Sequence, residues 1–176
     1  MNDFLRKIKL TKDIIIQLPV SKIDFIQKFR NNVDESNLDY DPFEVFQSSI
    51  NEYKGHIGDY IFEIKKRKKI FDTNYSFAKV TGELTEENNQ LIINAEISCF
   101  RKRMIIFIVM ALLFYSIFFI SMVFNAENTV PFFMVPFLLI HMSLMIGVPY
   151  FIIRRSVNRM AYDLERDFHY WVTKNN

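Results

Sequence analysis

The sequence predicts an α+β membrane protein: an N-terminal antiparallel sheet with one helix, a two-helix transmembrane hairpin and a C-terminal amphipathic helix. Three observations lead there. Residues 53–98 alternate apolar and polar side chains at the period of strands; residues 104–124 and 132–153 are long, apolar and uncharged; residues 157–171 repeat apolar side chains at helical spacing. Most charges lie before residue 104 and after residue 153, while the nineteen Phe and eight Met are weighted toward the last half. The 176 residues therefore divide into a cytosolic domain over 1–100, a hairpin over 104–153 and a cytosolic helix over 154–176.

Residues 8–18 read as a strand around Ile14, Ile15 and Ile16, whose β-branched side chains suit a pleated surface, and Pro19 ends it. A helix follows over about 21–32, with Ser21 as N-cap, Asp24 at the third helical position and Val20 placed to staple onto Phe25. Ile23, Ile26, Phe29 and Val33 recur at helical spacing and predict its apolar face. A polar connector covers 37–42, and 43–52 fits helix or strand equally.

From Tyr53 the period is that of strands. Gly58 and Asp59 predict a two-residue hairpin turn, and a second hairpin joins SFAKVTGELT to QLIINAEIS through residues 86–89. Leu91, Ile93, Ala95 and Ile97 share a face on the last strand, as do Ala78, Val80, Gly82 and Leu84 on its partner. Such alternation predicts an antiparallel sheet with one buried side.

Residues 104–124 hold no charge, and about 21 residues at 1.5 Å each span about 30 Å, the thickness of the hydrocarbon core. Their Leu, Ile, Phe and Val together favour insertion by roughly 4 to 8 kcal/mol. Residues 132–153 form the second span, in which Pro136, Gly147 and Pro149 are tolerated where neighbouring groups satisfy the freed carbonyls. The link over 125–131 is short enough to force an antiparallel hairpin. Arg101, Lys102 and Arg103 precede the first span, Arg154, Arg155 and Arg159 follow the second, and the link has neither Lys nor Arg. The positive-inside rule then places both termini in the cytoplasm of a multi-pass inner-membrane protein. The N-terminus carries no apolar core of a signal peptide, which fits the same expectation.

In the tail, Val157, Ala161, Leu164, Phe168 and Trp171 make a narrow apolar seam, with Arg159 and Asp163 four apart on its polar side. A few helical turns are not stable alone in water, so the seam needs a partner. Three surfaces could supply it: the N-terminal sheet, the membrane or a second copy.

Residues 53–155 resemble a group of small, uncharacterised bacterial two-span membrane proteins with a cytosolic β-rich domain. The resemblance rests on Gly55, Ile57, Phe62, Ile64, Lys66 and Arg67, followed by Asn74, Phe77, Gly82 and Leu84. It implies the two-span architecture and no activity. The element order is also similar to helix-grip lipid-binding folds, an analogy of fold alone.

The chemistry-bearing residues are few. Lys65, Lys66, Arg67, Lys68 and Lys69 form an unbroken basic run, which with Arg101–Arg103 and Arg154–Arg155 would lie near the cytoplasmic leaflet. Two readings compete: contact with anionic headgroups or an acidic partner, each residue contributing about 1 kcal/mol, or a solvated strand end guarding a sheet edge. Phe71 and Tyr75 could stack on bases, but no nucleic-acid module accompanies them, and a net charge of +2 is small for a polyanion binder. His141 sits near the middle of the second span, where an imidazole can bond Ser116, Tyr115 or a backbone carbonyl of the neighbouring helix. With no carboxylate or second His in either span, a proton relay has no next member. Met134, Met142 and Met145 are not spaced to gather with His141 around a metal. Cys99, the single cysteine, has no neighbouring His or CxxC partner, and His56 with Asp59 reads as a turn pair. Only four Gly are present and no phosphate loop.

The expectation is a non-enzymatic, cofactor-free, membrane-anchored binding or regulatory module at the inner leaflet. Its partners would be the lipid bilayer with its anionic headgroups, a second copy, or another membrane protein. Two alternatives are an oligomeric pore or membrane-disrupting effector, and an accessory subunit docked through the seam.

Overall fold

The computed structural model describes residues 2–39, 43, 46–47, 49–69, 76–88, 90–99, 102–124 and 134–174. Its elements run α1 (Asn2–Lys7), β1 (Thr11–Leu18), α2 (Lys22–Asn32), β2 (Val33–Glu35), β3 (Tyr53–Ile57), β4 (Ile61–Lys66), β5 (Lys79–Glu87), β6 (Gln90–Ser98), α3 (Lys102–Phe124) and α4 (Met134–Thr173). The class is α+β. Two compact units divide the chain: residues 1–99 with 153–176, and residues 100–152.

In the first unit the six strands form one sheet in the order β1-β6-β5-β4-β3-β2. All neighbours are antiparallel except β2 and β3, which are parallel, with Val33 opposite Tyr53. That pair departs from the all-antiparallel expectation. A three-residue strand has no alternation to read, and its partner stands twenty residues on.

Alternation sorts the faces as the pleat requires. Ile16, Leu18, Leu91, Ile93, Ala95, Ile97, Ala78, Val80 and Leu84 are buried, as are Phe62 and Ile64 on β4. The register aligns Phe62 with Gly82, Gly82 with Ala95, and Ala95 with Ile14, so two small residues leave a trough beside the Phe62 ring. A Cβ on Gly82 would stand 2.3 Å from that ring, which is why glycine is needed there.

The β5–β6 hairpin closes with Glu87 opposite Gln90, and Asn88 takes φ 50°, a left-handed conformation that asparagine tolerates. The β3–β4 turn falls one residue later than expected. The Gly58 amide donates to the Ile61 carbonyl at 2.8 Å, so Asp59 and Tyr60 form the tip. No described glycine has positive φ, so the tip is not the left-handed turn that a leading glycine suggests.

Helix α2 starts as its cap demands. Ser21 Oγ accepts from the Asp24 amide at 3.2 Å and donates to the Asp24 carboxylate at 2.7 Å. Its apolar face is a correction to the sequence reading. Phe25 and Phe29 are buried, Ile23 is 76 % exposed, Ile26 is half-buried, and Val33 belongs to β2. The two aromatic side chains, one turn apart, reach the core, and the helix turns Ile23 away from them.

The strand expected from residue 8 begins at Thr11, after the short helix α1. Within 43–52, the Phe46 amide closes a turn on the Phe43 carbonyl, and residues 49–52 lead into β3. The expected link over 125–131, together with Arg101, Phe71, Asn74 and Tyr75, lies outside the described residues.

The second unit holds α3 and the first half of α4, two helices long and apolar enough to cross a membrane. Helix α4 is continuous for 40 residues, so the second apolar segment and the tail helix are one element, with Pro149 inside it. Its residues from Ile153 onward belong to the first unit.

Candidate functional site

The chemistry of the first unit concentrates where the end of α4 crosses the inner face of the sheet. Val157, Ala161, Leu164, Phe168 and Trp171 are all buried there. Phe168 meets Phe25 at 5.1 Å between ring centroids and Phe62 at 5.7 Å, while Trp171 meets Tyr53 at 5.8 Å and Phe29 at 6.1 Å. Most of these contacts are edge-to-face, the arrangement the ring quadrupoles favour, and each adds about 0.5–1.5 kcal/mol to the area it buries. The seam is occupied by the chain's own sheet and is not an outward docking surface.

Beside the aromatic cluster runs a network of charges. Lys66 Nζ lies 3.0 Å from Asp163 and 3.7 Å from Glu52. Asp163 is only 3 % exposed, and Arg166 and Arg159 approach it at 3.5 and 3.8 Å. It faces the sheet, not the polar side assigned from its spacing to Arg159. The Tyr53 hydroxyl donates to Asp167 at 2.6 Å, and Arg166 holds the other oxygen of that carboxylate at 2.7 Å. Burial, then the Asp167 hydrogen bond, push the Tyr53 phenol far above its ordinary range, so it stays a neutral donor.

A second knot closes the β2 edge. Arg67 bonds Asp34, which also accepts from Ser49 Oγ at 2.6 Å and Asn51 Nδ2 at 2.8 Å. Burial alone would raise the Asp34 carboxyl, but the bonds from Ser49 and Asn51 and the Arg67 charge outweigh it and hold the group below the usual carboxylate range. Lys65 donates to the Leu38 carbonyl at 2.7 Å.

The basic run is therefore corrected. Lys65, Lys66 and Arg67 are buried and bonded inside the unit, forming neither a headgroup patch nor a solvated strand end. Lys68 is half-buried and Lys69 exposed. Run composition gave no warning, because the anions that draw these cations inward stand at Asp34 and Asp163, far away in sequence. The only local signal was that Lys66 shares the strand parity of Phe62 and Ile64. Of the flanking cations, Arg154 is half-buried and Arg155 exposed. Lys102 and Arg103 lie in the first turn of α3.

A serine clasp adds to the joint. Ser76 Oγ and Ser156 Oγ stand 3.1 Å apart, Ser76 Oγ donates to the Ser156 carbonyl at 3.0 Å, and the Phe77 amide donates to Ser156 Oγ at 2.6 Å. These buried hydroxyls satisfy the backbone leading into β5, as buried polar groups must. Lys28 donates to the Val172 carbonyl at 3.0 Å, tying α2 to the last turn of α4.

Among the described residues, open hollows lie against the sheet. One, about 250 Å³, is lined by Asn51, Glu52, Tyr53, Arg166, Asp167 and Trp171. Another, about 520 Å³, lies on the outer face over Thr81, Glu83 and Asn94, where Arg6 bridges Asp13 at 2.8 Å and Glu96 at 3.2 Å.

In the second unit the Tyr115 hydroxyl and His141 Nδ1 are 2.6 Å apart, joining α3 to α4, and Phe137 stacks on the imidazole at 6.2 Å. Ser116 is exposed and takes no part in that pair. Met134 and Met145 are exposed and Met142 half-buried. Cys99 is buried, His56 and Asp59 are exposed, and no metal-holding group of His, Cys, Asp and Glu occurs among the described residues.

Fold and site together define a class: an α+β unit sealed by the end of a long helix whose other half is apolar and bare. No protein-family model matches the chain, and neither a curated protein nor a solved structure proved similar to it.

Proposed function

We propose that the chain is a two-span protein of the cytoplasmic membrane whose α+β unit acts at the inner leaflet as a non-enzymatic binding or regulatory module. The observation that carries this reading is the surface of α3. Ile106, Phe107, Met110, Leu113, Phe114 and Ile117 all point outward and are 47–66 % exposed. Apolar patches of that extent are rare on soluble proteins, and lipid is the solvent that accommodates them. Basic residues at both outer flanks, with none in the link, support cytoplasmic placement of both ends. Lipid contact in this reading falls to Arg101, Lys102, Arg103, Arg154 and Arg155, since Lys65, Lys66 and Arg67 are engaged inside the unit. Membership of the small two-span group belongs to the same proposal. Its support is that Ile57, Phe62, Ile64, Lys66, Gly82 and Leu84 are all buried in one sheet.

Membrane vesicles from cells expressing the full chain test the proposal. The protein should resist carbonate extraction. A protease should digest the α+β unit only in inside-out vesicles, and reconstituted protein should release no dye from loaded vesicles. Extraction by carbonate overturns the membrane reading, digestion from the opposite side overturns the cytoplasmic placement, and dye release favours the pore in place of the binding module.

A further inference from the structure

We propose that the apolar helices bind a second copy of this chain through His141 and Ser116, an inference that rests on the membrane reading above. The imidazole uses Nδ1 on Tyr115, which leaves Nε2 without a partner among the described residues. His141 is nevertheless exposed on an otherwise apolar stretch. A hydrogen-bonding nitrogen left in hydrocarbon carries a desolvation penalty that a partner relieves. Residues 104–124 and 132–153 hold no carboxylate to supply one.

Ser116 is the complementary group. It too is exposed, and its hydroxyl has no partner among the described residues, whereas Ser143 on α4 donates to the Leu139 carbonyl at 2.7 Å. A hydroxyl both donates and accepts, so it fits Nε2 in either imidazole tautomer.

Depth makes the match. Tyr115 bonds His141 directly, and Ser116 follows Tyr115 by one residue, an axial step of about 1.5 Å. Copies inserted with the same orientation are related by an axis along the membrane normal, which leaves every atom at its own depth. The Ser116 hydroxyl of the second copy then arrives at the level of the His141 imidazole. The two helices bury little of each other's surface, so both groups stay accessible.

Full-length chains labelled at the N-terminus with donor or acceptor dye, reconstituted in phosphatidylcholine vesicles, read this association by energy transfer. Wild type should show transfer that unlabelled chain competes away. His141→Phe and Ser116→Ala should each weaken association about eightfold, the loss of two reciprocal polar contacts (about 1.2 kcal/mol). Ser143→Ala, whose hydroxyl is already satisfied within its own helix, should leave it unchanged. Carbonate-resistant protein that shows no transfer overturns the pairing alone. Transfer equal to wild type in both His141→Phe and Ser116→Ala also overturns it. Protein that carbonate extracts overturns the membrane reading together with the pairing.

Discussion

Replacing Lys66 by methionine separates a folding role for the basic run from a lipid-binding one. The ammonium lies 3.0 Å from Asp163, and the two side chains are 11 % and 4 % exposed. Opposite unit charges at that distance attract by about 5–6 kcal/mol at an effective dielectric of about 20, offset by the cost of taking both from water. Removing one partner of a buried pair costs about 3–5 kcal/mol, because the other charge stays behind uncompensated. Arg166 and Arg159 remain beside Asp163 at 3.5 and 3.8 Å, so the loss should fall near the lower end, about 3 kcal/mol. Trp171, the single tryptophan, packs against Phe29, Tyr53 and Phe168, so its emission reports unfolding of this joint. With a urea slope of about 2 kcal/mol/M, the midpoint of Lys66→Met should drop by about 1.5 M. The double variant Lys66→Met/Asp163→Leu should recover most of the loss, since an apolar pair of similar volume replaces a buried ion pair at little cost. Binding to anionic vesicles should not change. A midpoint equal to wild type, with weaker vesicle binding, would refute the reasoning and return Lys66 to the surface.

Two further outcomes follow from the same unit. Gly82→Ala pushes a methyl into the wholly buried Phe62 ring, so it should destabilise by about 1–3 kcal/mol in the Trp171 titration, and adding Phe62→Leu should relieve part of that loss. Asp34 has a folded pKa below its unfolded value of about 3.9, so it stabilises above that pH and loses its contribution as pH falls through the folded value. Asp34→Asn should therefore flatten the acid limb of a stability–pH profile below about pH 4, and a limb as steep as wild type would remove Asp34 from the account.

What the sequence made legible was governed by local period. The rows Leu91, Ile93, Ala95, Ile97 and Ala78, Val80, Gly82, Leu84 are buried on one face as alternation dictates, and Ser21 caps α2 as its spacing to Asp24 requires. Position along the chain misled wherever the deciding partner was remote. Lys66 looked free to meet solvent or headgroups because Asp163 lies 97 residues away. Ile23 looked internal because its spacing to Ile26 is helical, yet Phe25 and Phe29 bury the larger rings and fix the rotation of α2. Strand β2 is too short for any period, and its parallel partner fixes it. At the site, Tyr53 and Asp167 could have been suspected only from an aromatic at a strand start and an acid one turn beyond Asp163 on the same helix.

The seal on the sheet also sets a schedule for making the protein. Strands β1 to β6 end at Ser98, but the side chains that cover them start at Val157. At about 5–20 residues per second, the intervening stretch takes the ribosome about 3–12 s. Through that interval Phe25, Phe29 and Phe62 lack the lid that Phe168 and Trp171 provide. The two apolar segments are synthesised within it, before the lid, so the nascent chain must shelter an unfinished sheet while its most insoluble residues leave the exit tunnel.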